Sequence, residues 1–174
     1  MRSLTTATTY QTATGKVQIW IAPPHQFFVD HQQLLLGWNV PISYIILVLQ
    51  QSAVPLQEPS DRVALEKDRL RKKLIRFGSS LIFSLQDLGY YSDLFDPRTG
   101  YPLLARQKMI CDDNAVVKAI LNYKIVSEGQ CSLLLHPIWQ HSVYPSTIVT
   151  SAPRGVVQLN LKNVTDALGW NIRH

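Results

Sequence analysis

Apolar and polar positions follow two rhythms along the chain, one typical of strands and the other typical of helices. Residues 17–21 (VQIWI) alternate and stop before two prolines, which predicts a strand. Residues 42–49 are rich in β-branched side chains and apolar on both faces, which predicts a central strand buried on both sides. Residues 26–36 contain large apolar side chains that require burial, and they are interpreted as one or two helical turns.

The best-defined element is a long helix predicted over residues 61–88. A serine precedes it as a favourable N-cap, leucine and phenylalanine recur at helical spacing, and Gly89 suits the left-handed conformation that ends many helices. The basic residues Lys67, Arg71 and Lys72 lie away from the apolar stripe. They are therefore assigned to a solvated face of the helix.

The second half of the chain is predicted to hold a turn, a short helix and several strands. Residues 96–100 (DPRTG) have Asp, Pro and Gly at the positions that a β-turn favours. A helix is predicted over residues 112–121, and its adjacent acids Asp112 and Asp113 are interpreted as capping residues. Further strands are predicted over residues 131–135, 147–151 and 156–161, with a last helical turn at 164–168.

This order of elements predicts an α+β fold. We expect a single-domain sandwich over residues 17–174, with a mainly antiparallel sheet covered by helices. Residues 1–16 are rich in hydroxyl side chains and lack the apolar stretch of a secretory signal. They are predicted to form a flexible N-terminal tail.

Composition limits the partners and the compartment. The net charge is +5, but much of it falls in residues 66–76, where acids and bases are mixed as on a solvated helix rather than a nucleic-acid surface. The longest clean apolar run, residues 44–49, is too short to cross a bilayer. The two cysteines cannot form a disulfide framework, so a cytoplasmic setting with free thiols is expected, without membrane or nucleic-acid partners.

Common catalytic signatures are absent from the sequence. It contains no Gly-x-Ser-x-Gly, Cys-x-x-Cys or His-Glu-x-x-His motif and no glycine-rich phosphate loop. Tyr90 and Asp93 precede the predicted turn and Asp96 begins it, and side-chain hydrogen bonds with packed aromatic rings explain all three. No catalytic and no metal-binding residue is assigned.

The stretch GQCSLLLHPIW, residues 129–139, is open to a chemical and a structural interpretation. Cys131 is either a buried small residue or a reactive thiolate, which would need exposure and a positive neighbour. His136 precedes a proline at a strand end, where it could orient a thiolate, ligate a metal or be structural. Trp139 either covers the core or forms a ledge for a flat ligand. Strand alternation places Cys131 and His136 on opposite faces, which disfavours a direct pair.

Two segments resemble the methylmalonic aciduria and homocystinuria type D protein family. The family's Gly-Tyr-x-x-Asp-Φ-Ile-Asp-Pro-x-(Ser/Thr)-Gly turn, which follows a long helix, is similar to the stretch from Gly89 to Gly100, with a phenylalanine in place of the isoleucine. The family's Gly-Cys-Cys-x-Φ-Φ-x-His-x-x-Trp segment aligns with Gly129, Cys131, His136 and Trp139. The resemblance extends over roughly residues 17–155.

The resemblance implies a fold similar to flavin nitroreductases and a non-enzymatic role in cobalamin (vitamin B12) trafficking. A protein of this family acts beside a cobalamin-processing partner, the type C protein, and helps pass the cofactor to B12-dependent enzymes. One family cysteine supplies a thiolate to the cobalt of a corrinoid that the partner holds. The resemblance thus implies a transient contact with cobalamin rather than a tightly bound cofactor, and it leaves open whether a homodimer forms.

The sequence departs from the family pattern at the cobalt-binding cysteine. The first cysteine of the family's pair aligns with Gln130, whereas Cys131 takes the second position. A shift of one residue in a strand turns the side chain to the other face, so Cys131 does not replace the family cysteine automatically. The candidate cofactor contacts are Gln130, Cys131, His136 and Trp139, and the candidate partner-binding or structural turn contains Tyr90, Asp93, Asp96 and Gly100. The alternative is a flavin-dependent reductase of the same fold, which would form a homodimer around a flavin phosphate.

Overall fold

The computed structural model describes residues 5–106, 109–129 and 131–174. Its helices are α1 (Gln26–Leu35), α2 (Asp61–Asp87), α3 (Asp113–Leu121) and α4 (Arg154–Ala167). Its strands are β1 (Thr6–Thr12), β2 (Gly15–Ala22), β3 (Tyr44–Gln51), β4 (Ser92–Leu94), β5 (Lys124–Glu128), β6 (Cys131–Leu135), β7 (Val143–Thr150) and β8 (Asn171–Arg173). No helix within these ranges is long and apolar enough to cross a membrane.

Six strands form one antiparallel sheet in the order β4-β7-β3-β2-β1-β8, and β5 and β6 form a separate hairpin. The sheet and the four helices confirm the predicted α+β class. β3 lies inside the sheet, and the side chains from Ile45 to Gln50 are all buried. Burial on both faces explains why this strand reads as an uninterrupted apolar run.

Each face of the sheet carries its own core. On one face, Ile46 and Val48 of β3 pack with apolar side chains of α2 and α4, such as Phe77 and Leu161. On the other face, the alternate β3 residues pack with α1, α3 and the end of the hairpin. The helices therefore cover both faces of the sheet, and the hairpin lies beside α3.

The long helix follows the sequence pattern closely. The Ser60 hydroxyl accepts a hydrogen bond from the Val63 N–H at 3.2 Å, as an N-cap does. At the other end, Gly89 has φ +88°, a left-handed conformation that glycine adopts without strain.

The predicted strand over residues 156–161 is wrong, because this segment lies within α4. Val157, Asn160, Leu161 and Val164 are buried and recur at helical spacing. Asn160 also lies in hydrogen-bond contact with Ser84 of α2. In a segment this short the apolar residues fit a strand as well as a helix, and packing against α2 favours the helix.

The N-terminal segment differs from the predicted flexible tail over residues 1–16. Residues 6–12 form β1, which pairs with β2 along its whole length and with the C-terminal strand β8. Tyr10 is buried and lies 6.2 Å from the ring of Trp170. The threonines of this segment are β-branched and suit a strand, a signal that outweighs their polarity here.

Candidate functional site

The β5–β6 hairpin carries the candidate cobalt ligand. Cys131 pairs with Glu128 directly across the hairpin, and Gly129, which follows β5, has a positive φ of +62°. Cys131 is exposed and free, whereas Cys111 is buried. The interpretation of Cys131 as a buried packing residue is therefore wrong, and the thiol reaches solvent. Gln130 lies outside the described residues.

His136 is an internal structural residue at the base of this hairpin. Its Nδ1 accepts hydrogen bonds from the backbone N–H groups of Ile138 (3.1 Å) and Trp139 (3.0 Å), so its Nε2 carries the proton and donates to Gln18 Oε1 at 3.0 Å. The ring stacks on Trp139 at 4.2 Å and meets Tyr123 edge-on. Burial lowers the pKa of His136 to about 4, so the ring is neutral at physiological pH.

The two candidate residues of the strand are therefore kept apart. His136 is 1% exposed and both its ring nitrogens are occupied, whereas Cys131 lies at the exposed end of β6. This agrees with the strand alternation, which disfavours a direct pair. Trp139 is buried in the core behind α3, so it covers the core rather than forming an open ledge.

Asp93 organises the loop that follows the Asp-Pro turn. Its carboxylate accepts four backbone hydrogen bonds, from Leu94, Leu103 and Leu104 on Oδ1 and from Ala105 on Oδ2, at 2.8–3.0 Å. Burial raises the pKa of Asp93, and the four N–H donors oppose that rise. The carboxylate thus holds a loop whose residues come ten to twelve positions later.

Asp96 holds the turn and connects it to α2. Its Oδ1 accepts the backbone N–H of Arg98 at 3.0 Å, and its carbonyl accepts the N–H of Gly100 at 2.6 Å. Arg71 donates to both carboxylate oxygens, from Nε to Oδ1 at 2.8 Å and from Nη2 to Oδ2 at 2.5 Å. The Arg71 guanidinium holds the pKa of Asp96 below its ordinary value. The assignment of Arg71 to a solvated face is therefore corrected, because its partner comes from the turn.

Gly100 is required at the end of this turn. Its φ is +75°, and a Cβ there would lie 2.2 Å from Ile110 Cγ2 and 2.7 Å from the carbonyl oxygen of Cys111. The Cys111 N–H donates to the Gly100 carbonyl at 2.9 Å, which closes the loop. Tyr90 is half-buried against the core beneath α2 and α4. The interpretation of this region as a turn stiffened by side-chain hydrogen bonds and packed aromatics agrees with these contacts.

A cleft of about 950 Å³, which we call the α2–α3 cleft, lies between the turn and the hairpin. One wall is the N-terminal half of α2 with the turn, and the other is the start of α3. Residues Ser132–Leu134 of β6 and Val143–Pro145 of β7 complete the lining. The two segments that resemble the family thus border one open cavity, which sequence patterns did not indicate.

Asp112 and Asp113 differ in role although they are adjacent. Asp112 caps α3 as predicted, with Oδ1 accepting the Ala115 N–H at 3.2 Å. Asp113 instead accepts the Thr147 hydroxyl at 2.7 Å, which attaches α3 to β7. Burial, with a smaller contribution from the charge of Asp112, raises the pKa of Asp113 to about 8. Its side chain therefore carries a proton in most molecules at neutral pH.

Within the part of the chain that the structure describes, Cys131 offers an exposed soft ligand on the hairpin. The described residues contain no group of three or more His, Cys, Asp and Glu side chains that could hold a metal ion. A single thiolate can occupy one coordination position of a metal that another molecule holds. Cys131 has the exposure that such a contact requires.

A comparison with known protein families gives a match that covers the turn and the hairpin described above. The family model described as methylmalonic aciduria and homocystinuria type D protein matches residues 25–162, which include the turn, the cleft lining and the hairpin. No curated protein matches the chain.

Proposed function

Because the chain belongs to the methylmalonic aciduria and homocystinuria type D protein family, we propose that it is a non-enzymatic adaptor in cobalamin trafficking. Membership of the family implies a role in cobalamin metabolism. In our proposal the chain works beside a corrinoid-binding partner, such as a type C-like protein or a B12-dependent enzyme. It contributes one transient cobalt ligand during hand-over of the cofactor.

The exposed thiol of Cys131 is the observation that carries this proposal. It lies at the start of β6, on a two-stranded hairpin outside the main sheet, so a partner's bound corrinoid can approach it without unfolding. A soft thiolate is a suitable ligand for a corrinoid cobalt. We also propose that the protein works in a reducing cytoplasm, where this thiol stays free.

The other candidate residues support the hairpin and the turn. His136 and Trp139 stack at the base of the hairpin, where they fix the end of β6. The carboxylates of Asp93 and Asp96 accept internal hydrogen bonds. In our proposal a partner therefore contacts the exposed tip of the turn at Arg98 and Thr99. We assign no redox or catalytic step to any of these residues.

Absorption spectroscopy of the cobalt tests the proposal. Aquacobalamin loaded on a corrinoid-binding partner should show a shift of its visible bands when the wild-type protein is added, because a thiolate replaces an oxygen ligand. The shift should be lost with Cys131→Ser and kept with Cys111→Ala, which removes the buried thiol instead. An unchanged shift with Cys131→Ser would remove Cys131 from the mechanism.

A gain-of-function variant separates the two adjacent positions. Gln130→Cys restores the two consecutive cysteines of the family pattern. If position 130 is the better ligand position, Gln130→Cys with Cys131→Ser should show a larger shift than wild type. If Cys131 has taken over the role, the double variant should show no shift.

The comparisons give no support to the flavin-dependent reductase, the alternative that the sequence left open. Protein purified without added cofactor should release no flavin on denaturation, as judged by fluorescence of the supernatant. A stoichiometric release of flavin would contradict the adaptor proposal.

A further inference from the structure

The β5 strand of the hairpin has one edge, the outer edge, that no other element in the described part of the chain covers. Four of the five residues of β5 are exposed, and Ile125 is half-buried. Within that part of the chain, the backbone groups of β5 bond to β6 and to no other element. A regular strand edge with free N–H and C=O groups is a template for pairing with another strand.

The free backbone groups on the outer edge belong to Ile125 and Ser127. On β6, the carbonyl of Ser132 accepts a hydrogen bond from Asn114 Nδ2 at 3.0 Å, so this carbonyl points away from β5. Ser127 lies opposite Ser132. Opposite residues of an antiparallel pair either bond to each other or both face outward, and the two kinds alternate along the strand. Ser127 and Ile125 therefore direct their N–H and C=O groups to the outer edge, whereas Val126 bonds to β6.

The side chains of β5 are self-complementary. Lys124 and Glu128 are exposed, and neither forms an ion pair within the described residues. They stand four residues apart on one strand, a separation of about 13 Å, so they cannot pair with each other. Val126 lies midway between them on the same face of the strand, and it is 36% exposed. The strand thus carries opposite charges at equal distances from one apolar residue.

We propose that β5 pairs with β5 of a second copy of this chain, antiparallel and centred on Val126, to form a two-fold symmetric dimer. In this register Ile125 lies opposite Ser127 of the second copy, so the outward-facing groups bond to each other. Lys124 lies opposite Glu128 of the second copy, and the reverse holds at the other end. The two Val126 side chains meet on the symmetry axis.

This register satisfies the backbone groups and the charges together. A shift of one residue sets outward-facing residues opposite residues that face β6, so the backbone groups of the outer edge stay unpaired. A shift of two residues restores the backbone bonds but places a charged residue opposite Val126. Leu133, which lies opposite Val126 on β6, extends the apolar contact into a row across both hairpins. A strand whose charges complement themselves selects a second copy over an unrelated strand.

The dimer keeps the two exposed thiols apart. Cys131 lies opposite Glu128, so the thiols of the two copies lie at opposite ends of the paired strands. Four residues separate these ends along the strands, and three strand spacings separate the thiols across the sheet, which gives about 20 Å in total. The dimer is therefore independent of the cobalt ligand that we propose above, and each Cys131 stays accessible.

Disulfide trapping tests the register. Val126→Cys in a Cys131→Ser background should cross-link to itself on mild oxidation, because opposite Cα atoms of such a pair lie about 4.5 Å apart, within disulfide range. Ser127→Cys in the same background is the matched control, since this side chain faces the other side of the sheet and lies opposite Ile125. It should cross-link at least about tenfold more slowly, as judged by non-reducing electrophoresis.

Charge reversal tests the partner. Sedimentation equilibrium at up to about 1 mM protein detects the weak dimer that a contact below about 1,200 Å² forms. Lys124→Glu and Glu128→Lys should each weaken self-association about tenfold or more, because each sets two pairs of like charges in the dimer. An equimolar mixture of the two variants should dimerise again, since every charge then meets an opposite charge. Lys67→Glu, the same change at an exposed position of α2, should have no effect.

A backbone variant tests the strand pairing itself. Ser127→Pro removes an N–H that faces outward, so the hairpin bonds stay intact and the circular dichroism should not change. The dimer loses a backbone bond at both symmetric positions, so self-association should weaken about tenfold or more.

Three outcomes would each overturn the inference. They are a wild type that stays monomeric at about 1 mM, a Val126→Cys variant that cross-links no faster than Ser127→Cys, and a mixture of the two charge variants that stays monomeric. If wild type is monomeric but Ser127→Pro loses binding to a different protein, the outer edge serves that protein and the inference is also wrong.

Discussion

Asp93 is the residue whose removal should most clearly show how the turn is held. Its carboxylate accepts four backbone N–H groups at 2.8–3.0 Å, three of them from the loop segment 103–105. Asp93→Asn keeps one oxygen but directs an amide N–H against the Ala105 N–H. That leaves one unsatisfied pair, so we expect a loss of about 1–3 kcal/mol in the free energy of unfolding.

Asp93→Ala should cost more than Asp93→Asn, but less than four separate bonds would suggest. Hydrogen bonds to a charged group contribute about 1.5–3 kcal/mol each. Asp93 is 1% exposed, however, and burial of an ionised carboxyl costs several kcal/mol, consistent with its raised pKa. We therefore expect a net loss of about 3–4 kcal/mol, a large part of the stability of an ordinary domain.

Urea unfolding followed by circular dichroism measures the free energy of unfolding of Asp93→Asn and Asp93→Ala. The rate of trypsin cleavage after Arg106 reports how firmly the loop segment 103–105 is held. Both variants should be cleaved faster than wild type. Asp87→Asn, at an exposed position at the end of α2, should stay within about 0.5 kcal/mol of wild type. Asp93→Asn as stable as wild type, or Asp93→Ala as stable as Asp93→Asn, would contradict the role of these four hydrogen bonds in holding the loop.

Three further predictions concern the turn, α2 and α3. Gly100→Ala should lower the free energy of unfolding by about 2–4 kcal/mol, because the added Cβ meets atoms at 2.2 and 2.7 Å and φ is positive. Gly89→Ala, whose Cβ would have nothing within 4 Å, should lower it by only about 1 kcal/mol in urea unfolding. Equal losses would contradict the close approach at Gly100. Arg71→Met removes the bidentate bond to the turn and should lower the free energy of unfolding by about 1.5–3 kcal/mol. Lys72→Met removes an exposed ion pair and should lower it by less than about 0.5 kcal/mol. An equal loss for the two variants would show that the turn contact is unimportant. Folding raises the pKa of Asp113 to about 8, so between about pH 4 and 8 this carboxyl group binds more protons in the folded state. Its contribution to stability therefore falls as pH rises, by at most about 1.4 kcal/mol per unit, whereas His136, whose pKa folding lowers to about 4, contributes the opposite slope up to about pH 6.5. Asp113→Asn should remove the Asp113 contribution to the slope in urea midpoints measured at pH 5 and 8, and an unchanged slope would exclude the assignment.

The sequence alone was sufficient for features that depend on neighbours within a turn or two of the chain. The N-cap, the apolar stripe and Gly89 predicted α2 to within a residue, because each acts on its own helix. The Asp-Pro turn and the doubly buried β3 followed from local composition in the same way. The motif residues of the turn and the hairpin also indicated the family.

Only the tertiary structure decided which distant groups meet. Arg71 pairs with Asp96 because α2 crosses the turn, although charge pattern alone places the arginine in solvent. The segment that contains Val157 is helical because it packs on α2, since its apolar residues suit a strand equally well within a short window. The exposure of Cys131 depends on a hairpin that stands outside the sheet, and the cleft depends on four elements that approach one another. These contacts join residues that lie far apart in the chain, so the periodicity within one segment cannot predict them.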